Sequence, residues 1–282
     1  MSHDSTSSAL SNDPVRGSAV HVEWADRGIA LITLVRPQEM NTLSMEFLDQ
    51  FNAALDWANQ RPTRALIITG QERAFCCGAH LKYFAGESAH IKAPLQSRND
   101  YFMRIAETFD RLEDLRFPTI AAVNGFALGG GFELALSCDF RVVNEATKVG
   151  LPETRLGAIA GAGGVQKLSR HVGRSLAMDW ILRARHVPAR EAEKHGLFSA
   201  VVPQAQLMET AMNLAKELRA LAPHAITQSK RTIYTCEEVD LRSARRYGIE
   251  ALSILVGGTE WQEGMSAFVG KRPPKFDEMS GY

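Results

Sequence analysis

A short apolar run, Thr119-Ile120-Ala121-Ala122-Val123, breaks at Asn124-Gly125. A few residues on, Gly129-Gly130-Gly131 open a helical pattern. No other stretch constrains the fold of this chain as much. Five small or β-branched apolar positions bounded by a turn signal read as a buried strand. Glycine admits a left-handed backbone and lets main-chain N–H groups approach a ligand with no Cβ in the way. A helix start leaves its first N–H groups unpaired and carries the positive end of the helix dipole. Glu133 follows two residues after the last glycine. Unpaired donors and a carboxylate therefore share one turn, which suits chemistry beside a carbonyl.

Glu133 lies among Phe132, Leu134, Ala135 and Leu136, apolar all round, as in a buried helix. A glutamate in such a helix is rare unless it is paired or working. The plainer reading is a carboxylate stabilising the helix dipole from the surface. Glu153 follows Pro152 and precedes a second glycine-rich turn, Gly157 to Gly164. Alone it reads as a loop carboxylate. With Glu133 it makes a pair able to divide acid and base roles between two environments.

The rest of the chain supplies a frame. Val20–Trp24 and Ile29–Val35 flank Asp26-Arg27-Gly28, a strand–turn–strand signal. Ser44 caps a helix with Phe47, Leu48, Phe51, Ala54, Leu55 and Ala58 at helical spacing. Ala65–Thr69, Phe140–Asn144 and Lys148–Gly150 read as further short strands. Residues 71 to 98 read as a loop with helical turns, and a helix runs from about Asp100 to Leu115. From Gln204 onward only helices are expected, over 204–221, 223–236, 240–256 and 259–269. This gives an α/β organisation in three parts: a disordered tail at 1–18, a core of β/α units at 19–203 and a helical region at 204–282.

Composition narrows the function classes. Lys plus Arg and Asp plus Glu each number 32, so net charge is zero and no basic field argues for nucleic acid. No apolar run is long enough to span a bilayer, and residues 1–18 lack the apolar core of a signal peptide. The four cysteines, Cys76, Cys77, Cys138 and Cys236, form no metal-ligand spacing and read as free thiols of a reducing cytoplasm.

Five segments carry a resemblance. They are Ala122 to Ala135, Ala74-Phe75-Cys76-Cys77-Gly78-Ala79, Leu151-Pro152-Glu153-Thr154-Arg155-Leu156-Gly157, Gly161-Ala162-Gly163-Gly164 and Glu263-Gly264-Met265-Ser266-Ala267-Phe268. In content and order, over roughly residues 20 to 276, the chain resembles the enoyl-CoA hydratase/isomerase (crotonase) family. The resemblance implies a spiral of ββα units with a helical C-terminal region that builds trimers, commonly paired into hexamers. It implies an acyl-CoA substrate, coenzyme A entering as part of the thioester, and no prosthetic group. The thioester oxygen is expected on the N–H groups of Ala79 and Gly130. Glu133 and Glu153 would hold one water, which adds across the C2=C3 bond of a trans-2-enoyl-CoA. Glu153 is assigned the proton delivered to C2 and Glu133 the activation of water.

Residues 77 to 82 are expected along the adenine and pantetheine, giving Cys77, His80, Leu81 and Lys82 as contacts. Lys271 is expected to reach a ribose phosphate on a neighbouring subunit. Phe84, Phe102, Phe109 and Phe126 are candidates for the acyl pocket. The sequence departs from the family at Cys77 and Ala160, where alanine and proline are common, and at His80, where aspartate is frequent. Relatives that only move a double bond often keep a single glutamate, matching Glu153, so Glu133 favours hydration. An isomerase, a pathway-specific hydro-lyase and a CoA- or RNA-binding protein are the rivals. The last would use Arg242, Arg245 and Arg246, which share a helix face.

Overall fold

The computed structural model describes residues 13–87 and 89–276. Its strands are β1 (Val15–Arg16), β2 (Val20–Asp26), β3 (Ile29–Leu34), β4 (Ala65–Gly70), β5 (Ala74–Cys76), β6 (Thr119–Val123), β7 (Phe126–Leu128), β8 (Phe140–Asn144), β9 (Lys148–Gly150), β10 (Val187–Pro188) and β11 (Ala200–Val202). They form a seven-stranded sheet ordered β1-β2-β3-β4-β6-β8-β11 and a four-stranded sheet ordered β10-β9-β7-β5. The helices are α1 (Met45–Asn59), α2 (Pro94–Ser97), α3 (Met103–Glu113), α4 (Gly130–Leu136), α5 (Gly164–Val172), α6 (Arg174–Leu182), α7 (Ala189–Glu193), α8 (Leu207–Arg219), α9 (Pro223–Glu238), α10 (Leu241–Ser253) and α11 (Thr259–Val269).

The chain opens as the antiparallel ribbon β1-β2-β3 and then turns parallel at β4. From there each turn lays one strand in each sheet and returns through helix. β4 and β5 precede α2 and α3, β6 and β7 precede α4, and β8 and β9 precede α5 and α6. Each turn sits beside the last in both sheets, which makes the ββα spiral. Central strands are apolar on both faces because both are covered; Ala65 to Thr69 and Thr119 to Val123 are buried throughout.

One face of the large sheet packs against α1, whose Phe47, Leu48, Phe51 and Leu55 are buried with Leu66, Ile68 and Phe75. Ser44 caps α1 by accepting the Phe47 N–H at 3.1 Å. Each fully buried Leu, Ile or Phe contributes about 2 kcal/mol relative to exposure. The other face is closed by α8, whose Leu207, Ala211 and Ala215 meet Ile29, Ile67, Ile120 and Val142. Two alanines on its buried face let this helix lie close to the strands.

Of the tail expected at 1–18, residues 1–12 lie outside the described residues, and Val15–Arg16 pair with β2 as an edge strand. Ala74–Cys76, expected in a loop, is β5, fully buried and paired in parallel with β7. The helix expected from Asp100 begins instead as a π-turn over Arg98–Phe102 and becomes α3 at Met103.

Candidate active site

The small sheet assembles the site. β5, β7 and β9 are parallel neighbours, and the residues just past their carboxyl ends come together. Past β5 stand Cys77, Gly78 and Ala79. Past β7 stand Gly129 and Gly130. Past β9 stands Glu153.

Ala79 forms an isolated parallel bridge with Leu43, and Leu43 N–H bonds Gly78 C=O at 2.9 Å. In that pattern the partner bonds to the residues on either side of Ala79, so the N–H of Ala79 points away from Leu43. Gly130 is its neighbour: a Cβ built on Gly130 would stand 3.7 Å from Ala79 N. A Cβ on Gly78 would stand 2.8 Å from Gly130 N, and Gly78 has a positive φ of 81°. Glycine at 78 therefore lets the two segments close up. Gly130 N–H belongs to the first residue of α4, with no carbonyl one turn back. Among the described residues neither N–H has a protein acceptor. Two neighbouring main-chain donors thus converge at a helix start, the arrangement expected for an oxyanion.

Glu133 is 4% exposed, in the helix that apolar neighbours led us to expect buried. Its Oε1 accepts the N–H groups of Ala162 at 2.9 Å and Gly164 at 2.8 Å. Burial pushes its carboxyl above the ordinary range, while these two N–H bonds and the Lys167 charge pull it back. Gly164 is needed here because a Cβ would lie 2.7 Å from Glu133 Cγ. The second glycine-rich turn thus holds the first carboxylate, a role the sequence reading did not assign to Ala162 or Gly164. Their place at the start of α5, Ala162 just ahead of its cap and Gly164 as its first residue, where N–H groups lack intrahelical partners, is the signal that would have found them.

Glu153 folds back over the first glycine turn. A Cβ on Gly129, whose φ is +55°, would stand 2.7 Å from Glu153 Oε1. Glu153 Oε2 is buried with no hydrogen-bond partner. Burial raises its carboxyl to about 7, its own backbone N–H opposes the rise, and the Glu133 charge adds to it. Two carboxyls in different surroundings therefore sense each other beside the donor pair. One is tied to N–H groups and the other has a buried oxygen with no hydrogen-bond partner.

The remaining expected contacts divide. Cys77 continues directly from β5 and is half-buried; its N–H bonds Met40 C=O at 3.0 Å, and burial raises its thiol to about 11. That is far from a reactive thiolate at neutral pH. His80 follows Ala79, with Nδ1 2.8 Å from Thr42 Oγ1 and its ring against Tyr83. Burial lowers its pKa, favouring a neutral ring. Leu81, 51% exposed, and Lys82 lie on the single 3-10 turn that leaves this loop. Lys271 is exposed in the turn after α11, and no described contact joins it to these residues. Of the four phenylalanines, Phe84 and Phe102 stack at 5.4 Å, Phe126 is partly exposed, and Phe109 is fully buried in the core.

The site thus lies past the carboxyl ends of three parallel strands of the small sheet inside a ββα spiral, with two carboxyl groups beside two main-chain N–H groups. The model of the enoyl-CoA hydratase/isomerase family matches residues 25–279. A probable enoyl-CoA hydratase of Rhizobium meliloti is 37% identical over 88% of this chain and 94% of its own length. The 2,3-dehydroadipyl-CoA hydratase of Escherichia coli is 35% identical over 88% of this chain and 94% of its own. The crystal structure of an enoyl-CoA hydratase from Bacillus anthracis superposes with a TM-score of 0.86 at 36% identity, covering 93% of this chain and all of that one. The chain belongs to the enoyl-CoA hydratase/isomerase family and has the crotonase fold.

Proposed function

We propose that this protein is an enoyl-CoA hydratase, adding water reversibly across the C2=C3 bond of a trans-2-enoyl-CoA. The observation that carries this reading is the carboxyl pair: Glu133 held by two N–H groups, and Glu153 with a pKa of about 7 and an unpartnered buried oxygen. Glu133, as carboxylate, takes a proton from water as its oxygen bonds to C3. The C2=C3 electron pair moves toward the thioester, and charge develops on the carbonyl oxygen facing Ala79 and Gly130. Glu153, protonated, delivers its proton to C2. Exchange with solvent then returns one proton to Glu153 and removes one from Glu133.

Each donor to the developing oxyanion supports about 3–4 kcal/mol of barrier lowering. Coenzyme A is carried by the substrate, with Cys77, His80, Leu81 and Lys82 along its path and Lys271 reaching it from a neighbouring subunit. We propose a homotrimer or a dimer of trimers. Supporting it, Ile233, Leu241, Ile254, Phe268 and Val269 on or beside α9 to α11 are each more than half exposed. Among the described residues no helix is long and apolar enough to cross a membrane. The free cysteines support a reducing compartment, the cytoplasm.

Crotonyl-CoA mixed with the protein is expected to lose its conjugated absorbance. Glu133→Gln and Glu153→Gln are each expected to slow that loss by at least about a hundredfold. Equal inertness of wild type and both variants on a panel of 2-enoyl-CoAs refutes hydration. Conversion of 3-enoyl- to 2-enoyl-CoA without hydration would mark an isomerase instead.

A further inference from the structure

The Ala79 N–H lies in a short loop, and something must hold its direction. The π-turn Arg98–Phe102 carries the residue that does so. A π-turn inserts one residue into a helix and re-aims the side chains around it. Here Tyr101 is fully buried while Phe102 lies outside, stacked on Phe84. The Tyr101 hydroxyl donates to Leu43 C=O at 2.6 Å and accepts the His80 N–H at 2.7 Å. It therefore clips the two groups that the Leu43–Ala79 bridge brings face to face. The ring is braced by Tyr83 and Phe84, both 5.5 Å away between centroids. Tyr83 is itself tied down, its hydroxyl accepting Met45 N–H at 3.0 Å.

The plane of the Ala79–His80 peptide is set at its nitrogen by Tyr101. The plane of the Gly78–Ala79 peptide is set at its carbonyl by Leu43 N–H. Between these anchors the Ala79 N–H faces away from Leu43 N–H, with Gly130 as its neighbour. We propose that Tyr101 is a positioning residue for the oxyanion hole, aiming the Ala79 N–H at the thioester oxygen through its two hydrogen bonds, one donated to Leu43 C=O and one accepted from His80 N–H. This rests on the reading of Ala79 and Gly130 as thioester donors. Burial pushes the Tyr101 hydroxyl above its ordinary pKa, so it stays a donor at any working pH.

The test is Tyr101→Phe, which keeps the ring and removes the clip. In the variant His80 N–H and Leu43 C=O face each other and can pair directly, so the fold is retained while the peptide plane rotates. Two readouts are taken. Hydration of crotonyl-CoA is expected to lose about tenfold to a hundredfold in kcat, with KM within about twofold. The infrared carbonyl stretch of carbon-13-labelled butyryl-CoA is expected to fall on binding wild type and to fall distinctly less on binding the variant. Tyr234→Phe, which removes a hydroxyl bonded to Asp139 away from this loop, is expected to match wild type in both.

If wild type itself leaves the carbonyl stretch unmoved, the oxyanion reading fails. If wild type lowers it and Tyr101→Phe lowers it equally with unchanged kcat, the role of Tyr101 alone is overturned. Should the phenylalanine variant not fold, 3-fluorotyrosine at position 101 keeps ring and hydroxyl but weakens acceptance from His80. The same readouts then move in the same direction by less, and an unmoved pair overturns the proposal.

Discussion

Glu153 is costly to the fold. Its carboxyl titrates at about 7 because burial disfavours the charge, and its outer oxygen has no partner. The unfolded carboxyl titrates near 4.5, so the folded form binds a proton more tightly. Below 4.5 both states are protonated and there is no penalty; as pH rises toward 7 the folded state loses ground, and above 7 the loss is complete. Glu153→Gln is therefore expected to raise Tm at pH 8 and leave it nearly unchanged at pH 4, in thermal melts at both values. In hydration the same group must hold its proton. The pair needs one proton in all, so kcat/KM is expected to be bell-shaped, falling above about pH 7 and again at acid pH as Glu133 is protonated. A pH–rate profile flat from 5 to 9 would refute these roles. Glu133 stood out in the sequence from its apolar neighbours, whereas Glu153 alone read as a loop carboxylate and gained a role only beside Glu133 and through family resemblance. Ala79 entered only through family resemblance, because its N–H direction depends on a bridge to Leu43, far back in the chain.

At the scale of elements, the glycines of the two turns have separable jobs. A Cβ at Gly131 would lie 1.9 Å from Cys76 C=O, against backbone that cannot yield. Gly131→Ala is expected to destabilise the protein by about 3 kcal/mol or more, read by urea unfolding. A Cβ at Gly164 meets instead the Glu133 side chain, at 2.7 Å from Cγ. Gly164→Ala is expected to stay folded, move the carboxylate and lose about a hundredfold in kcat, by circular dichroism and crotonyl-CoA turnover. The glycine pattern announced both turns but not which carboxylate each would serve. The helix at α1 was legible because its cap and apolar spacing are local. The strand β5 was not: Ala74-Phe75-Cys76 is short, and only pairing with β7 makes it a strand. The π-turn ahead of α3 was equally hidden, since Arg98-Asn99-Asp100 carries no periodic signal.

For the whole molecule, the trimer proposed above would be held by the apolar residues left exposed on the last helices. Phe268 and Val269 are each 80% exposed at the end of α11. Phe268→Glu with Val269→Glu is expected to shift the protein from trimer toward monomer in sedimentation, with the ββα spiral still folded. A core of repeating β/α units was legible from the order of strand and helix signals, and its winding into a spiral came with the family resemblance. The split of each turn between two sheets was not, because β5, β7 and β9 are only three residues each. Those three strands have a further consequence. Successive turns contribute separate parts at their ends: Ala79 from one, Gly130 and Glu133 from the next, Glu153 from the third. In the roles proposed above, Glu153 stands on a different turn from both oxygen donors, whereas Glu133 shares α4 with Gly130. On that reading a substitution at 153 changes the chemistry and leaves both donors untouched, so one scaffold could trade reactions at a single position without relearning how to hold its substrate.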